Sequence, residues 1–326
     1  MAGPWIDMHA HPGRCFLVGL DSADPLVRRL GGDTAHAALE LAHDAGLSAV
    51  TFSTVGDLRV LSADPVKGLV ASRRFAPGEA REDHRRQLEG LVRLVQQCGA
   101  EVARTAADLE RAHAEGQTSV IVSCEGGDFL ELEPLTEAHA AGASSLCLVH
   151  YRVNDIGDTQ TEEPVHNWLS AFGREVVAEC NRLGMIIDCA HATFETTLGV
   201  LEASATPIMI SHSHLDHEQR HHPRLLSAQH ARVVASGGGL VGAWPSGVTS
   251  TTLDDFVVEI VRLIELIGVD HVGIGTDMDA NYRPVLDSYS QFLALEASLA
   301  GHGATGAEID KVLGRNAIEL FGAARR

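Results

Sequence analysis

Two histidines one residue apart, His9 and His11, close the first apolar run of the chain, Trp5-Ile6-Asp7-Met8. On a strand they leave the same face. Imidazole nitrogens at about 2.0–2.1 Å suit a borderline-soft divalent cation. The pair alone is a weak signal, since 18 histidines in 326 residues give about one His-x-His by chance. Its position gives it weight. Five later apolar runs also end in groups that ligate metals or move protons: Val120-Ile121-Val122-Ser123-Cys124-Glu125, Leu146-Cys147-Leu148-Val149-His150, Met185-Ile186-Ile187-Asp188-Cys189-Ala190-His191, Pro207-Ile208-Met209-Ile210-Ser211-His212 and Val272-Gly273-Ile274-Gly275-Thr276-Asp277.

Each end suggests a task. Glu125 precedes Gly126-Gly127, where the backbone turns sharply, and its two oxygens can bridge two cations. A lone histidine after an apolar run is more often a hydrogen-bonded core residue than a ligand. His191 and His212 together with His9, His11 and Glu125, however, make a five-ligand set sufficient for two metals. Asp277 can take a proton from a metal-activated water and return it to a leaving amine. Asp279 shares the alternation and is the weaker candidate, because the loop has begun there. His150 can stabilise an oxyanion or fix a substrate carbonyl. The histidine-rich segment 212–222 reads as a polar loop over the site, and Arg220 within it can hold a carboxylate bidentately.

These residues need strands to carry them. Strand-like runs start near 5, 47, 118, 144, 185, 207, 239 and 271. Helices are expected near 34–46, 79–98, 106–116, 133–141, 168–183, 193–204, 227–236 and 253–267. Buried parallel strands read as short apolar runs, and α/β enzymes place their chemistry at the carboxyl ends. Eight βα units predict an α/β fold of the (β/α)8 TIM-barrel type, a metal-dependent hydrolase scaffold, as one domain over residues 1–326. An open doubly wound sheet would not gather ligands from strands spread over the whole chain.

Bulk properties narrow the partners. A formal net charge of −19 argues against nucleic acid or an anionic membrane as partner, leaving a small-molecule substrate. No apolar stretch approaches a bilayer span. No basic and apolar leader opens the sequence. The six cysteines form no C-x-x-C pair, and several sit inside apolar runs, so buried thiols in a reducing compartment are expected. A cytoplasmic protein follows as the expectation.

With these segments in place, the chain resembles the membrane (renal) dipeptidase family, zinc peptidases of the amidohydrolase superfamily. The resemblance is carried by Asp7-Met8-His9-Ala10-His11, Cys124-Glu125-Gly126-Gly127, Leu148-Val149-His150, Asn181-Arg182-Leu183-Gly184 running on to His191, Ile210-Ser211-His212-Ser213, Arg220-His221-His222-Pro223, Gly273-Ile274-Gly275-Thr276-Asp277-Met278-Asp279 and Gly314-Arg315-Asn316-Ala317. It implies two Zn2+ ions, or other divalent metals in their place. His9, His11 and Glu125 would hold one ion, and Glu125, His191 and His212 the other. Asp277 becomes the proton shuttle, while His150 and Arg220 address the substrate's carbonyl and its C-terminal carboxylate. The implied reaction is dipeptide hydrolysis by a metal-bound hydroxide, commonly with a D-residue at the C-terminal position. Family analogy suggests a homodimer.

Three departures stand out. The family's first motif is His-x-Asp, whereas this chain has His9-x-His11; an imidazole in place of a carboxylate makes the site one charge more positive. Arg-Asn-x-Pro becomes Arg220-His221-His222-Pro223. The seventh strand gives Gly242-Ala243-Trp244-Pro245 instead of a segment with a substrate-facing tyrosine. Two alternatives follow: another amidohydrolase reaction on an N-acyl amino acid, lactone or small biosynthetic amide, and a non-catalytic metal- or ligand-binding barrel.

Overall fold

The computed structural model describes residues 3–31, 35–64, 68–129, 131–217 and 221–325. Ten strands occur among them: β1 (Trp5–Asp7), β2 (Leu47–Val55), β3 (Leu61–Asp64), β4 (Gly68–Ala71), β5 (Ser119–Glu125), β6 (Ala143–Cys147), β7 (Ile186–Asp188), β8 (Met209–Ser213), β9 (Leu240–Ala243) and β10 (Val272–Ile274). Eight form one parallel sheet in the order β1-β2-β5-β6-β7-β8-β9-β10. Every residue of these eight is buried, as expected for strands covered on both faces.

The ring is drawn closed between the last strand and the first. Met8 N–H donates to the Ile274 carbonyl (2.9 Å), Asp277 N–H to that of His9 (2.8 Å) and His11 N–H to that of Met278 (2.9 Å). The buried Asp7 carboxylate reinforces this seam. It accepts from Thr276 N–H (2.9 Å), the Thr276 hydroxyl and the Tyr289 hydroxyl (3.0 Å). The (β/α)8 barrel read from the apolar runs is the observed fold, and its eight strands lie where those runs place them.

The outer helices also follow the sequence pattern. They include Ala35–Asp44, Glu79–Gln97, Ala106–Glu115, Leu132–Ala141, Ala171–Leu183, Phe194–Ala203, Ala228–Ser236 and Leu253–Ile267. Their starts are set by hydroxyl caps: Thr105 and Thr252 form reciprocal capping boxes with Asp108 and Asp255, and Ser170, Thr193 and Ser227 each accept a backbone N–H.

The two ends of the barrel are filled differently. At the amino ends of the strands, Ile6, Met8, Ile121, Ile186, Met209 and Leu240 pack with Ala317, Leu320 and Phe321 of the helix Asn316–Ala323. Asn316 fastens that helix by donating to the carbonyls of Val269 (2.7 Å) and Val272 (2.8 Å). Around the mouth a separate apolar cluster gathers Phe16, Leu17, Val55 and Leu58, with Leu20, Leu26 and Leu30 against it.

Between β2 and the helix Glu79–Gln97 lies the antiparallel pair β3–β4. Nothing in its sequence is strongly apolar, and both strands are half-buried or exposed. No helix among the described residues is long and apolar enough to cross a membrane. The side chains of Cys15, Cys124, Cys147, Cys180 and Cys189 are buried.

Candidate metal centre

Extension of β1 beyond Asp7 brings His9 and His11 to the mouth, where both are fully buried. His11 Nδ1 lies 3.1 Å from the Ser53 carbonyl of β2. A carbonyl only accepts, so Nδ1 carries a proton and Nε2 is turned toward Glu125 in the mouth. The His212 ring is oriented by the Ser211 hydroxyl, 2.9 Å from its Nδ1, and stacks on His9 at 4.2 Å between ring centres.

Glu125 is the point of convergence. Its Oε1 lies 3.2 Å from His9 Nε2, 3.2 Å from His191 Nε2 and 3.7 Å from His212 Nε2. Its Oε2 lies 3.2 Å from His11 Nε2 and 3.6 Å from His150 Nε2. Gly126 follows at φ 84°, the left-handed turn that lets β5 stop there. His191 and Asp277 adopt the same region without being glycine, at φ 66° and 52°. Such strain costs on the order of 1–3 kcal/mol and gathers at working sites.

The donor set fits a divalent cation. His9 Nε2, His11 Nε2 and Glu125 Oε1 are buried and have no hydrogen-bond partner. His191 Nε2 and His212 Nε2 face each other at 3.1 Å. Buried polar atoms left this way are costly unless a ligand satisfies them. Ligand atoms of His9, Glu125 and His212 lie within 4.8 Å of one another, as do those of His9, His11 and Asp277, and of Glu125, His150 and His191. Burial pushes His191 and His212 well below the ordinary histidine range, so both stay neutral and able to ligate. Burial would raise the Glu125 carboxyl, but the surrounding histidines, His150 and His9 foremost, outweigh it and hold it well below the usual range.

Asp277 Oδ1 lies 3.6 Å from His11 Nε2, and its Oδ2 accepts from Trp244 Nε1 at 3.2 Å. Burial raises its pKa to about 6, with His11 opposing the rise. That places the carboxyl near neutrality, as proton exchange requires. Asp279 is exposed at the rim and accepts from Gly13 N–H at 2.6 Å.

His150 is held from behind by Asp57. The Asp57 carboxylate meets His150 Nδ1 at 2.7 Å and accepts Tyr151 N–H at 3.0 Å. Burial would lower the His150 pKa, but Asp57 and Glu125 outweigh it and bring it to about 9. Asp57 was legible by the same strand-end rule, since it follows the apolar run Leu47–Val55 by one glycine.

Arg220 lies outside the described residues. Among the described residues the mouth contains Arg224, 1% exposed, which donates to Gln160 Oε1 (2.7 Å) and sits over the Trp244 ring at 5.6 Å. Its Nε has no partner. The signal was Arg224-Leu225-Leu226, an arginine entering an apolar run rather than a polar loop. The described part of segment 212–222 does not roof the site as expected. His214 is buried against Phe256, and His217 pairs with Glu259 and Arg262 on an outer helix. The seventh strand brings Trp244, while a tyrosine enters from the segment after β6 as Tyr151. A cavity of about 280 Å³ is lined by His11, Glu125, His150, His191, His212 and Asp277, together with Tyr151, Arg224 and Trp244.

A family model described as membrane dipeptidase, peptidase family M19, matches residues 36–326, and the chain belongs to that family. His9 and His11 precede the matched segment. Two curated relatives are dipeptidase tcpJ of Claviceps purpurea (strain 20.1), 27% identical over 68% of this chain and 54% of its own length, and dipeptidase verJ of Clonostachys rogersoniana, 28% identical over 68% and 59%. The chain thus spans little more than half the length of these relatives. Among solved structures, a metallo peptidase from Rhodobacter sphaeroides liganded with a phosphinate mimic of the dipeptide L-Ala-D-Ala has a TM-score of 0.81 at 22% identity, covering 99% of this chain and 100% of that one. A dipeptidase of the same family reaches 0.82 at 22% identity over 99% of both chains. At such identities the likeness establishes the shared barrel.

Proposed function

We propose that this member of the membrane dipeptidase family hydrolyses the amide bond of small dipeptides, with two zinc ions held by His9, His11, Glu125, His191 and His212. The observation that carries the reading is Glu125, whose buried Oε1 faces three imidazole nitrogens within 3.7 Å while Oε2 faces His11. Bound cations would polarise the scissile carbonyl and acidify the attacking water.

The chain's own groups supply the rest. Asp277 accepts the proton of the attacking water and delivers it to the departing nitrogen. Its indole partner, Trp244, fixes the carboxyl orientation. His150, aligned by Asp57, donates to the carbonyl oxygen as negative charge develops there. Arg224 pairs with the C-terminal carboxylate, its planar fork already partly ordered by Gln160. A D-configured C-terminal residue is included because the barrel's Rhodobacter neighbour carries a mimic of L-Ala-D-Ala. Hydrolysis of an N-acyl amino acid is the second reading. It is favoured by His11, which offers a substrate ammonium no counter-charge where the family has a carboxylate.

The test combines metal content with a substrate panel of L-Xaa-D-Xaa and L-Xaa-L-Xaa dipeptides, N-acyl amino acids and lactones. Two metals per chain and turnover of dipeptides are expected. Asp277→Asn should keep the metal and lose roughly 10²- to 10⁴-fold in turnover. Undiminished turnover in that variant removes Asp277 from the mechanism. Hydrolysis confined to N-acyl substrates would transfer the assignment to the second reading.

A further inference from the structure

We infer that the residue on the amino side of the scissile bond carries a large apolar side chain, received by a wall built from the segments after β1 and β2. The inference rests on the reading above that Arg224 holds the substrate's carboxylate.

The order of strands around the ring sets the geometry. β2 is second in the eight-stranded order and β8 is sixth, so the segments that follow them stand on opposite sides of the mouth. Arg224 follows β8. A substrate anchored there and lying across the metal ligands must present its other end to the segments after β1 and β2. The apolar residues lining the cavity on that side are Phe16, Leu30, Val55, Leu58, Leu61 and Leu69.

Two independent features make this wall a built surface. Phe16, Val55, Leu58 and Leu30 belong to an apolar cluster separate from the main core. Leu61 and Leu69 come from the β3–β4 hairpin, whose register pairs Leu61 with Ala71 and Ala63 with Leu69, alternating with Ser62–Val70 and Asp64–Gly68. Opposed residues share a face and successive ones alternate. Leu61, Ala63, Leu69 and Ala71 therefore form one apolar face, and its two leucines line the cavity. Leu69 remains 39% exposed, an apolar surface that a substrate side chain would cover. The guanidinium groups of Arg14 and Arg29 at the same side disfavour a cationic side chain.

The experiment measures kcat/KM for Xaa-D-Ala dipeptides with Xaa as Gly, Ala, Leu, Phe, Glu and Lys on the zinc-loaded protein. Leu and Phe should exceed Gly by roughly 10- to 100-fold, with Lys lowest. In the double variant Leu61→Ala/Leu69→Ala the Phe-to-Gly ratio should fall at least several-fold. A flat series, or a preference for Glu, overturns the inference while leaving dipeptide hydrolysis standing. If no dipeptide is hydrolysed, the functional reading fails separately. The ranking is then read from calorimetric binding of the same dipeptides to Asp277→Asn: tighter binding of Leu- and Phe-D-Ala supports the wall, and equal or absent binding overturns it.

Discussion

The same eight strands end in two different materials. Where they begin, Ile6, Met8, Ile121, Met209 and Leu240 meet Leu320 and Phe321 in an apolar plug with a helix fastened over it. Where they finish, equally buried positions carry His9, His11, Glu125, His191 and His212, several of whose polar atoms lack partners. Of the six non-glycine residues with positive φ among the described residues, four, Arg14, His191, Asp277 and Asp279, line the cavity at this second end. Packing at the first end is a source of stability; desolvated charge and strained backbone at the second spend part of it on a ligand. Substitutions at the two ends should accordingly separate folding from chemistry.

The widest separation is expected at Glu125. Glu125→Gln keeps the shape but removes the charge shared by both halves of the ligand set. Turnover should drop about 10³-fold or more, roughly 4 kcal/mol of transition-state stabilisation, and metal per chain should fall. The thermal midpoint of the metal-free protein should fall only modestly, because the histidines lose the carboxylate that faces them while the packing is kept. A large loss of stability there would erase the contrast between the ends. Phe321→Ala probes the opposite case. Urea unfolding should show a loss of about 3–5 kcal/mol, with kcat per folded molecule unchanged.

A smaller effect tests whether orphaned polar atoms by themselves mark a ligand site. His84, stacked on Phe129 at 3.5 Å, is buried with neither ring nitrogen partnered, yet it lies outside the mouth. Burial lowers its pKa to about 3. The folded protein therefore refuses a proton that the unfolded chain accepts below about pH 6.5. Stability from this group is complete above pH 6.5 and declines as pH falls toward 3, by about 2–3 kcal/mol at pH 4.5. Denaturation curves at pH 7 and 4.5 should converge in His84→Phe, with metal content unchanged. A change in metal content would extend the ligand site beyond the mouth.

The barrel was legible because most strands lie in short apolar runs and six of these runs end in a group with a definite chemistry. Parallel strands buried on both faces leave that signature whatever their neighbours. The β3–β4 hairpin left none: Leu61-Ser62-Ala63-Asp64 and Gly68-Leu69-Val70-Ala71 are short and only half-buried, so their pairing is decided by tertiary context. Asp57 follows a strand end and Arg224 enters an apolar run, but their roles are set only by tertiary contacts. Both act through partners remote in sequence, Gln160 and His150, and no spacing rule connects positions 64 or 93 residues apart. Tyr151 carries no signal of its own, since a lone tyrosine past a strand end joins the cavity wall only through the fold.

The seam at Asp7 has a consequence for the timing of assembly. Its carboxylate bonds to Thr276 and Tyr289, 269 and 282 residues further along the chain. At typical rates of synthesis, roughly 5–20 residues per second, the first strand emerges roughly 10–60 s before its closing partner exists. Until then β1 has a neighbour on one side only, and the two histidines beyond it have no fixed place. The earliest-made of the proposed ligands are thus among the last to be positioned, and uptake of metal by the complete set would report that the final strand has closed the ring.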